Sequence, residues 1–175
     1  TAPIAPCTLC PIRPAEDNQI LVPAGQRISK LLSFDMIHAG YLRLAAKTEG
    51  KLQVTAFCRE LDEDGAVIHM KFHKDGHYLG QELRSVGCLL IEAMNSSDTD
   101  SELTVELIGY HYPVKTIANT STSDEDLNLV LKTCAHTLKY CRQSIHLDSP
   151  KHCEPLACTG DYYIETLMTA YSYGD

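Results

Sequence analysis

The sequence predicts a mainly β, antiparallel fold, a barrel or a sandwich of six to eight strands, with one C-terminal amphipathic helix and disulfide bonds. Three observations predict it. Short segments with alternating apolar and polar residues, separated by turn residues, fill residues 30–117. A single stretch of helical period follows at residues 124–143. The chain also contains eight cysteines, an even number that is typical of exported, disulfide-bonded proteins.

The length and the charge of the chain indicate one compact domain and exclude some partners. We expect a single domain over residues 1–175, because this length suits one hydrophobic core. The net charge is -8 and no basic block is present, which argues against a nucleic-acid partner. No segment approaches the ~20 consecutive apolar residues that a membrane-spanning helix needs, so we expect no membrane insertion.

The first part of the chain and two sequons predict an extracellular protein. Residues 1–25 form a Pro-rich, irregular arm in which Cys7 and Cys10 are the reactive side chains. The chain starts without an apolar signal core, as a mature N-terminus does after signal cleavage. Asn95 and Asn119 begin glycosylation sequons in polar stretches that are typical of exposed loops. We therefore expect a secreted glycoprotein.

The first well-defined strands are predicted at residues 41–47 and 51–61. Apolar side chains occupy every second position in both segments. The link between them has the length of a three-residue hairpin loop, with Gly50 at its left-handed position. In this hairpin Leu44 lies opposite Val54, which places apolar side chains on one shared face.

A second hairpin is predicted at Asp75-Gly76, a dipeptide that strongly favours a two-residue turn. Apolar residues alternate with His and Lys in the strand before it, and the register places Phe72 opposite Leu79. Further strands are predicted at residues 88–94 and 103–117, where apolar residues again recur at a period of two.

Residues 124–143 are predicted to form the helix. Ser123 and Asp126 have the spacing of a capping box, and acidic residues in the first turn favour the positive end of the helix dipole. The residues that follow form a stripe at helical spacing, which we expect to be buried. The stripe consists of Leu127, Leu131, Cys134, Leu138 and Cys141.

Residues 144–175 are predicted to form a cysteine-containing loop and a terminal strand.

Helical spacing limits how the cysteines can pair. Cys134 and Cys141 are about 10.5 Å apart along a helix axis, whereas a disulfide joins Cα atoms within ~7 Å. Each of them must therefore bond outside the helix. Cys58 and Cys88 could bridge neighbouring strands, or one of them could be a buried free thiol, and the connectivity stays open. The predicted disulfide-bonded set is Cys7, Cys10, Cys58, Cys88, Cys134, Cys141, Cys153 and Cys158.

Motifs for catalysis, metal binding or cofactor binding are absent from the sequence. The chain has no Gly-x-Ser-x-Gly elbow, no phosphate-binding loop and no His-Glu-x-x-His helix. His69 and His73 are about 13 Å apart on a strand, too far to share one metal ion. The Cys7-x-x-Cys10 pair lacks the strand-to-helix context of a redox centre. We expect a binding protein that is not an enzyme and uses no cofactor or metal.

The order of antiparallel strands, one helix and a cysteine-bearing end resembles the lipocalins, a family of calycin barrels, over residues 30–170. The resemblance implies a secreted barrel that carries a small hydrophobic ligand of lipid, retinoid, carotenoid or steroid type. Its interior would be lined by the inward side chains of the strands. These are Leu42, Leu44, Leu52, Val54, Ile68, Met70, Phe72, Leu103 and Val105.

A second interpretation is a secreted protein-binding or assembly module, such as an immune-modulating domain or a subunit of an extracellular homo- or hetero-oligomer. The chain has nine tyrosines and no tryptophan. Tyrosine suits half-wet surfaces, because its ring is apolar and its hydroxyl is polar. Four tyrosines crowd the C-terminus and could form such an interface: Tyr162, Tyr163, Tyr171 and Tyr173.

Overall fold

The computed structural model describes residues 7–61, 64–115, 117, 120–143, 145–147 and 159–174. The chain contains two compact units. An all-β unit contains residues 10–109, and a helical unit contains residues 110–175 together with residues 1–9. The two units are described separately below.

The all-β unit accounts for most of the strands, and its mainly β, antiparallel class confirms the prediction. The paired strands whose register is defined run antiparallel. The strands are β1 (Thr8–Ile12), β2 (Gln19–Val22), β3 (Arg27–Lys47), β4 (Leu52–Arg59), β5 (Asp64–Phe72), β6 (Gly76–Leu79), β7 (Arg84–Asn95) and β8 (Ser101–His111).

The sheet is not closed, so the barrel prediction is wrong. Its strand order is β1-β8-β3-β7-β4-β5, with β2 also paired to β8 and β6 also paired to β3. Strand β3 is 21 residues long and serves both halves of the sheet: residues 27–40 pair with β7, and residues 40–47 pair with β8. The register shifts between Ser33 and His38, and an irregularity of this kind bends a strand.

Inward side chains from both halves of the sheet share one hydrophobic core. Leu44 on β3, Leu52 on β4, Ile91 on β7 and Leu103 on β8 are fully buried and belong to the same cluster. Burying one such side chain stabilises the fold by about 1.5–3 kcal/mol. Buried and exposed residues alternate along these strands, as the sequence predicted.

Both predicted hairpins are wrong, although their strands bury the predicted faces. Strand β3 pairs with β6, β7 and β8, whereas β4 pairs with β5 and β7. Leu52 therefore lies opposite Phe72 of β5, and β6 lies beside β3. The turns at residues 48–51 and 73–75 carry the chain from one half of the sheet to the other. Apolar and polar residues alternate with the same period whether a turn joins two paired strands or two strands that do not pair, so the alternation cannot distinguish the two connections.

In the helical unit, helix α1 (Glu125–Cys141) confirms the predicted helix. The Asp124 side chain caps it by accepting a hydrogen bond of 3.1 Å from the Leu127 N–H. The prediction that its apolar stripe is buried is only partly right. Leu138 and Cys141 are buried, whereas Leu127 and Cys134 are exposed.

The predicted terminal strand is a helix, α2 (Thr159–Tyr173). Its tyrosines favour strands by propensity, but its apolar residues recur at three- and four-residue intervals, which is a helical period. The predicted cysteine loop lies mostly outside the described residues. Neither α1 nor α2 is both long and apolar enough to cross a membrane.

The predicted disulfides are not found among the described cysteines. Cys58 lies opposite Leu89 and faces the core, whereas Cys88 lies opposite Arg59 on the other face of the same strand pair. The two thiols therefore cannot bridge β4 and β7. Burial raises the pKa of the Cys58 thiol to about 11. Cys153 and Cys158 lie outside the described residues, and no disulfide is found among the six described cysteines, which are Cys7, Cys10, Cys58, Cys88, Cys134 and Cys141.

Candidate functional site: a groove between strands β5 and β6

The nine side chains predicted to line a ligand cavity lie in or against the packed core. Ile68 and Met70 are half-buried and pack against the buried cluster. The other seven belong to that cluster and are at most 6% exposed, so these side chains fill the interior. They are Leu42, Leu44, Leu52, Val54, Phe72, Leu103 and Val105.

A groove opens where the sheet fails to close, between β5 and β6, and we call it the β5–β6 groove. Its volume is about 520 Å³. Its floor is formed by Leu42, Ile68, Tyr78 and Gly80, and its rim is formed by Val67, His77, Leu79, Gln81, Glu82 and Arg84.

The floor of the groove is mainly apolar. Leu42 is buried, and Ile68 and Tyr78 pack against the core from their half-buried positions. The Gly80 N–H donates a hydrogen bond of 2.8 Å to the Leu42 carbonyl, which holds the end of β6 against β3. The Tyr78 hydroxyl lies next to Gly80, so the floor also offers one polar group.

The rim of the groove is polar along the segment that follows β6. The Glu82 carboxylate forms an ion pair with the Arg84 guanidinium. Gln81 is exposed and adds an amide that can both donate and accept hydrogen bonds. Because the two opposite charges compensate each other, the rim suits an uncharged ligand that carries hydroxyl groups.

A second polar cluster lies in the helical unit, between the end of α1 and helix α2. His146 Nδ1 is 3.3 Å from Glu165 Oε2, and both side chains are mostly buried. Burial, and to a smaller extent the charge of Arg142, lowers the pKa of His146. Gln143 Oε1 and Thr169 Oγ1 are buried without a hydrogen-bond partner in the described part of the chain.

Sequence reasoning missed both sites. His146 lies in the segment that was predicted to be a cysteine-containing loop, and the C-terminal stretch that contains Glu165 was predicted to be a strand. The groove depends on β5 and β6 separating, which the hairpin prediction had excluded. Within the residues that the structure describes, no group of three His, Cys, Asp or Glu side chains is placed to hold a metal ion.

Asn95, a predicted glycosylation site, is fully buried. Its Nδ2 donates hydrogen bonds to the carbonyls of Val22 at 3.0 Å and Thr99 at 2.8 Å. Its Oδ1 accepts a hydrogen bond from the Ser97 N–H at 3.0 Å. The exposed loop position that a glycan needs is therefore not found here. Asn119 lies outside the described residues.

The chain as a whole combines an open antiparallel sheet with a helical segment, and solved structures share this fold. No protein-family model and no curated protein matches the sequence. A rhamnosidase from Klebsiella oxytoca with rhamnose bound is similar, with a TM-score of 0.75 and 15% identity. A GH78 family rhamnosidase of Bacillus sp. GL1 is also similar, with a TM-score of 0.79 and 17% identity.

The similarity extends over nearly all of this chain and over a smaller part of each rhamnosidase. It covers 96% of this chain and 42% of the Klebsiella chain. For the Bacillus protein it covers 92% of this chain and 18% of that chain. At these identities the similarity establishes the fold alone.

Proposed function

We propose that this chain is a sugar-binding part of a protein that acts on rhamnosides, and that the β5–β6 groove binds a neutral monosaccharide unit such as rhamnose. The observation that carries the proposal is the groove itself. It joins an apolar floor to a hydroxyl-binding rim, on a fold that two rhamnosidases share over 92% or more of this chain.

The chemistry of a pyranose ring matches the two parts of the groove. One side of the ring carries C–H groups, which can pack on Ile68 and on the ring of Tyr78. The ring edge carries hydroxyl groups, which can bond to Gln81, Glu82 and Arg84. Rhamnose has a methyl group in place of one hydroxymethyl group, and this methyl group adds apolar contact with the floor.

The shape of the groove favours a sugar over a lipid, retinoid or steroid. A carrier of such ligands needs an enclosed apolar cavity. The β5–β6 groove is open to solvent on one side, and its rim contains the Glu82–Arg84 ion pair. Secretion and modification of Asn119 stay predictions and are independent of this proposal.

The first experiment titrates the 175-residue chain with L-rhamnose and follows binding by NMR and calorimetry. We expect saturable binding with a dissociation constant of about 1 mM, which is about −4 kcal/mol. Tyr78→Ala and Gln81→Ala should each weaken binding at least about tenfold, because each removes part of the floor or the rim. Lys71→Ala, on the exposed face of β5, should bind like the parent protein.

Two results would contradict the proposal. One is a folded protein that binds no neutral sugar. The other is sugar binding that neither Tyr78→Ala nor Gln81→Ala weakens. Gln81 is exposed, so its variant tests the site even if Tyr78→Ala disturbs the core. A small apolar molecule found by native mass spectrometry, together with absent sugar binding, would support the carrier function instead.

A further inference from the structure

We propose that the outer face of helix α2 is the surface through which two copies of this chain associate. The surface is a stripe of four side chains, Ile164, Leu167, Met168 and Tyr171, which we call the α2 stripe. It is separate from the β5–β6 groove, and the proposal does not depend on sugar binding.

The α2 stripe is exposed although it is apolar. Its members are 55%, 44%, 41% and 80% exposed in sequence order. They occupy positions i, i+3, i+4 and i+7, which lie on one face of a helix. The opposite face carries Thr169 and Tyr173, which are buried. Among the residues that the structure describes, helix α2 therefore has a buried inner face and an exposed apolar outer face.

The outer face carries little charge. From Tyr163 to Tyr173 the one charged residue is Glu165, which is mostly buried beside His146, and the exposed Asp161 lies at the N-terminal end of the same face, three residues before Ile164. A helix face that stays in contact with water normally carries charged or polar residues. An uncharged apolar stripe on an exposed helix therefore indicates a surface that is covered in the working form of the protein.

The geometry of the stripe favours a helix as its partner. A narrow stripe at three- and four-residue spacing is the seam along which two helices pack. Binding to a membrane surface is disfavoured, because helices that bind there carry Lys and Arg on their polar face and α2 has neither. The net charge of -8 also opposes approach to anionic lipid.

A second copy of the chain supplies a helix with the matching stripe. In a two-fold dimer the same surface meets itself, so any charge on it would face a like charge. The four side chains of the α2 stripe carry none, and an antiparallel pair of helices keeps the two copies of Asp161 at opposite ends of the seam. The stripe and Tyr163 expose roughly 550 Å² per copy, taking about 200 Å² for a whole tyrosine. Two copies then bury about 1,100 Å², the size of a weak but specific interface.

The test measures the oligomeric state of the full chain by sedimentation equilibrium. We expect a monomer–dimer equilibrium with a dissociation constant of about 10 μM. Leu167→Glu should raise this constant at least about tenfold, because it places a charge in the centre of the seam. Thr166→Glu, exposed on α2 outside the stripe, should dimerise like the parent.

Circular dichroism of each variant establishes that α2 is still formed, and Met168→Glu provides a second variant should Leu167→Glu unfold. A parent chain that stays monomeric up to about 200 μM would overturn the proposal. A dimer that persists unchanged in both Leu167→Glu and Met168→Glu would overturn it as well, because the contact would then lie elsewhere.

Discussion

At the scale of single residues, the Asn95 side chain supplies hydrogen bonds at a turn whose two flanking strands do not pair with each other. The chain leaves β7 at Asn95 and enters β8 at Ser101, and these strands do not pair with each other. The Asn95 side-chain amide donates hydrogen bonds to the Val22 carbonyl at the end of β2 and to the Thr99 carbonyl in the turn before β8. A buried amide with all these bonds is costly to remove, since its partners are left without hydrogen bonds.

Asn95→Ala is expected to destabilise the all-β unit by about 2–3 kcal/mol, because it leaves buried carbonyl groups unpaired. Urea unfolding of the full chain measures the loss. Gln53→Ala, at an exposed position of β4, is the matched control and should stay close to the parent protein. If Asn95→Ala unfolds at the parent's urea concentration, the hydrogen bonds do not have this role.

Mass spectrometry of protein from a glycosylating host should find Asn95 unmodified.

His146 predicts a pH dependence of stability. Burial lowers the pKa of His146 in the folded chain, although Glu165 is 3.3 Å away. Between that lowered pKa and the unfolded value of 6.5, the unfolded chain binds more protons than the folded chain. Stability therefore falls as the pH drops through this window.

His146→Gln should remove this contribution, and the free energy of unfolding should change less between pH 7 and pH 5. Urea titrations at several pH values measure it. His69→Gln, at an exposed position on β5, should keep the pH dependence of the parent. An equally steep loss of stability in His146→Gln would show that other groups cause it.

At the scale of elements, helices were predictable where a cap and a period agreed. Helix α1 has both, although the observed cap is Asp124, one residue after the predicted Ser123, and its apolar residues recur with a helical period. Helix α2 was missed because its tyrosines resemble strand residues, although Ile164, Leu167 and Met168 keep a helical period. The strands that were predicted have the correct inward faces, but their partners were wrong, and β1 and β2 lie within residues 1–25, which were predicted to be irregular.

Asp124→Ala tests the cap of α1. The substitution removes the bond to the Leu127 N–H and a negative charge at the positive end of the helix, a loss of about 1 kcal/mol. The first turns of α1 are exposed, so little packing compensates, and far-UV circular dichroism should show less helix. Lys132→Ala, exposed in the middle of α1, should keep the helical signal. An unchanged spectrum in Asp124→Ala would contradict the capping role.

At the scale of the whole molecule, the cysteine count misled the prediction of how the fold is held together. The even number indicated cross-links, yet no disulfide is found among the six described cysteines, and Cys58 and Cys88 point to opposite faces. Packing of the all-β core supplies the stability that disulfides were expected to supply.

A thiol count checks this conclusion. The unfolded chain without reductant should react with at least four equivalents of a thiol reagent, one each for Cys7, Cys10, Cys58 and Cys134. In the folded chain, Cys58 should react most slowly, because it is buried and its raised pKa keeps it protonated. Fewer than four reactive thiols would show that at least one of these four cysteines forms a disulfide.

The sequence by itself determined the fold class, the inward side chains of the strands and helix α1. These properties follow from local periodicity and capping, which neighbouring residues encode. Only the tertiary structure decided which strands pair, that the sheet stays open, that Asn95 is buried and that the β5–β6 groove exists. The physical reason is that strand pairing joins residues far apart in the chain, and a period of two is the same whichever strand lies alongside.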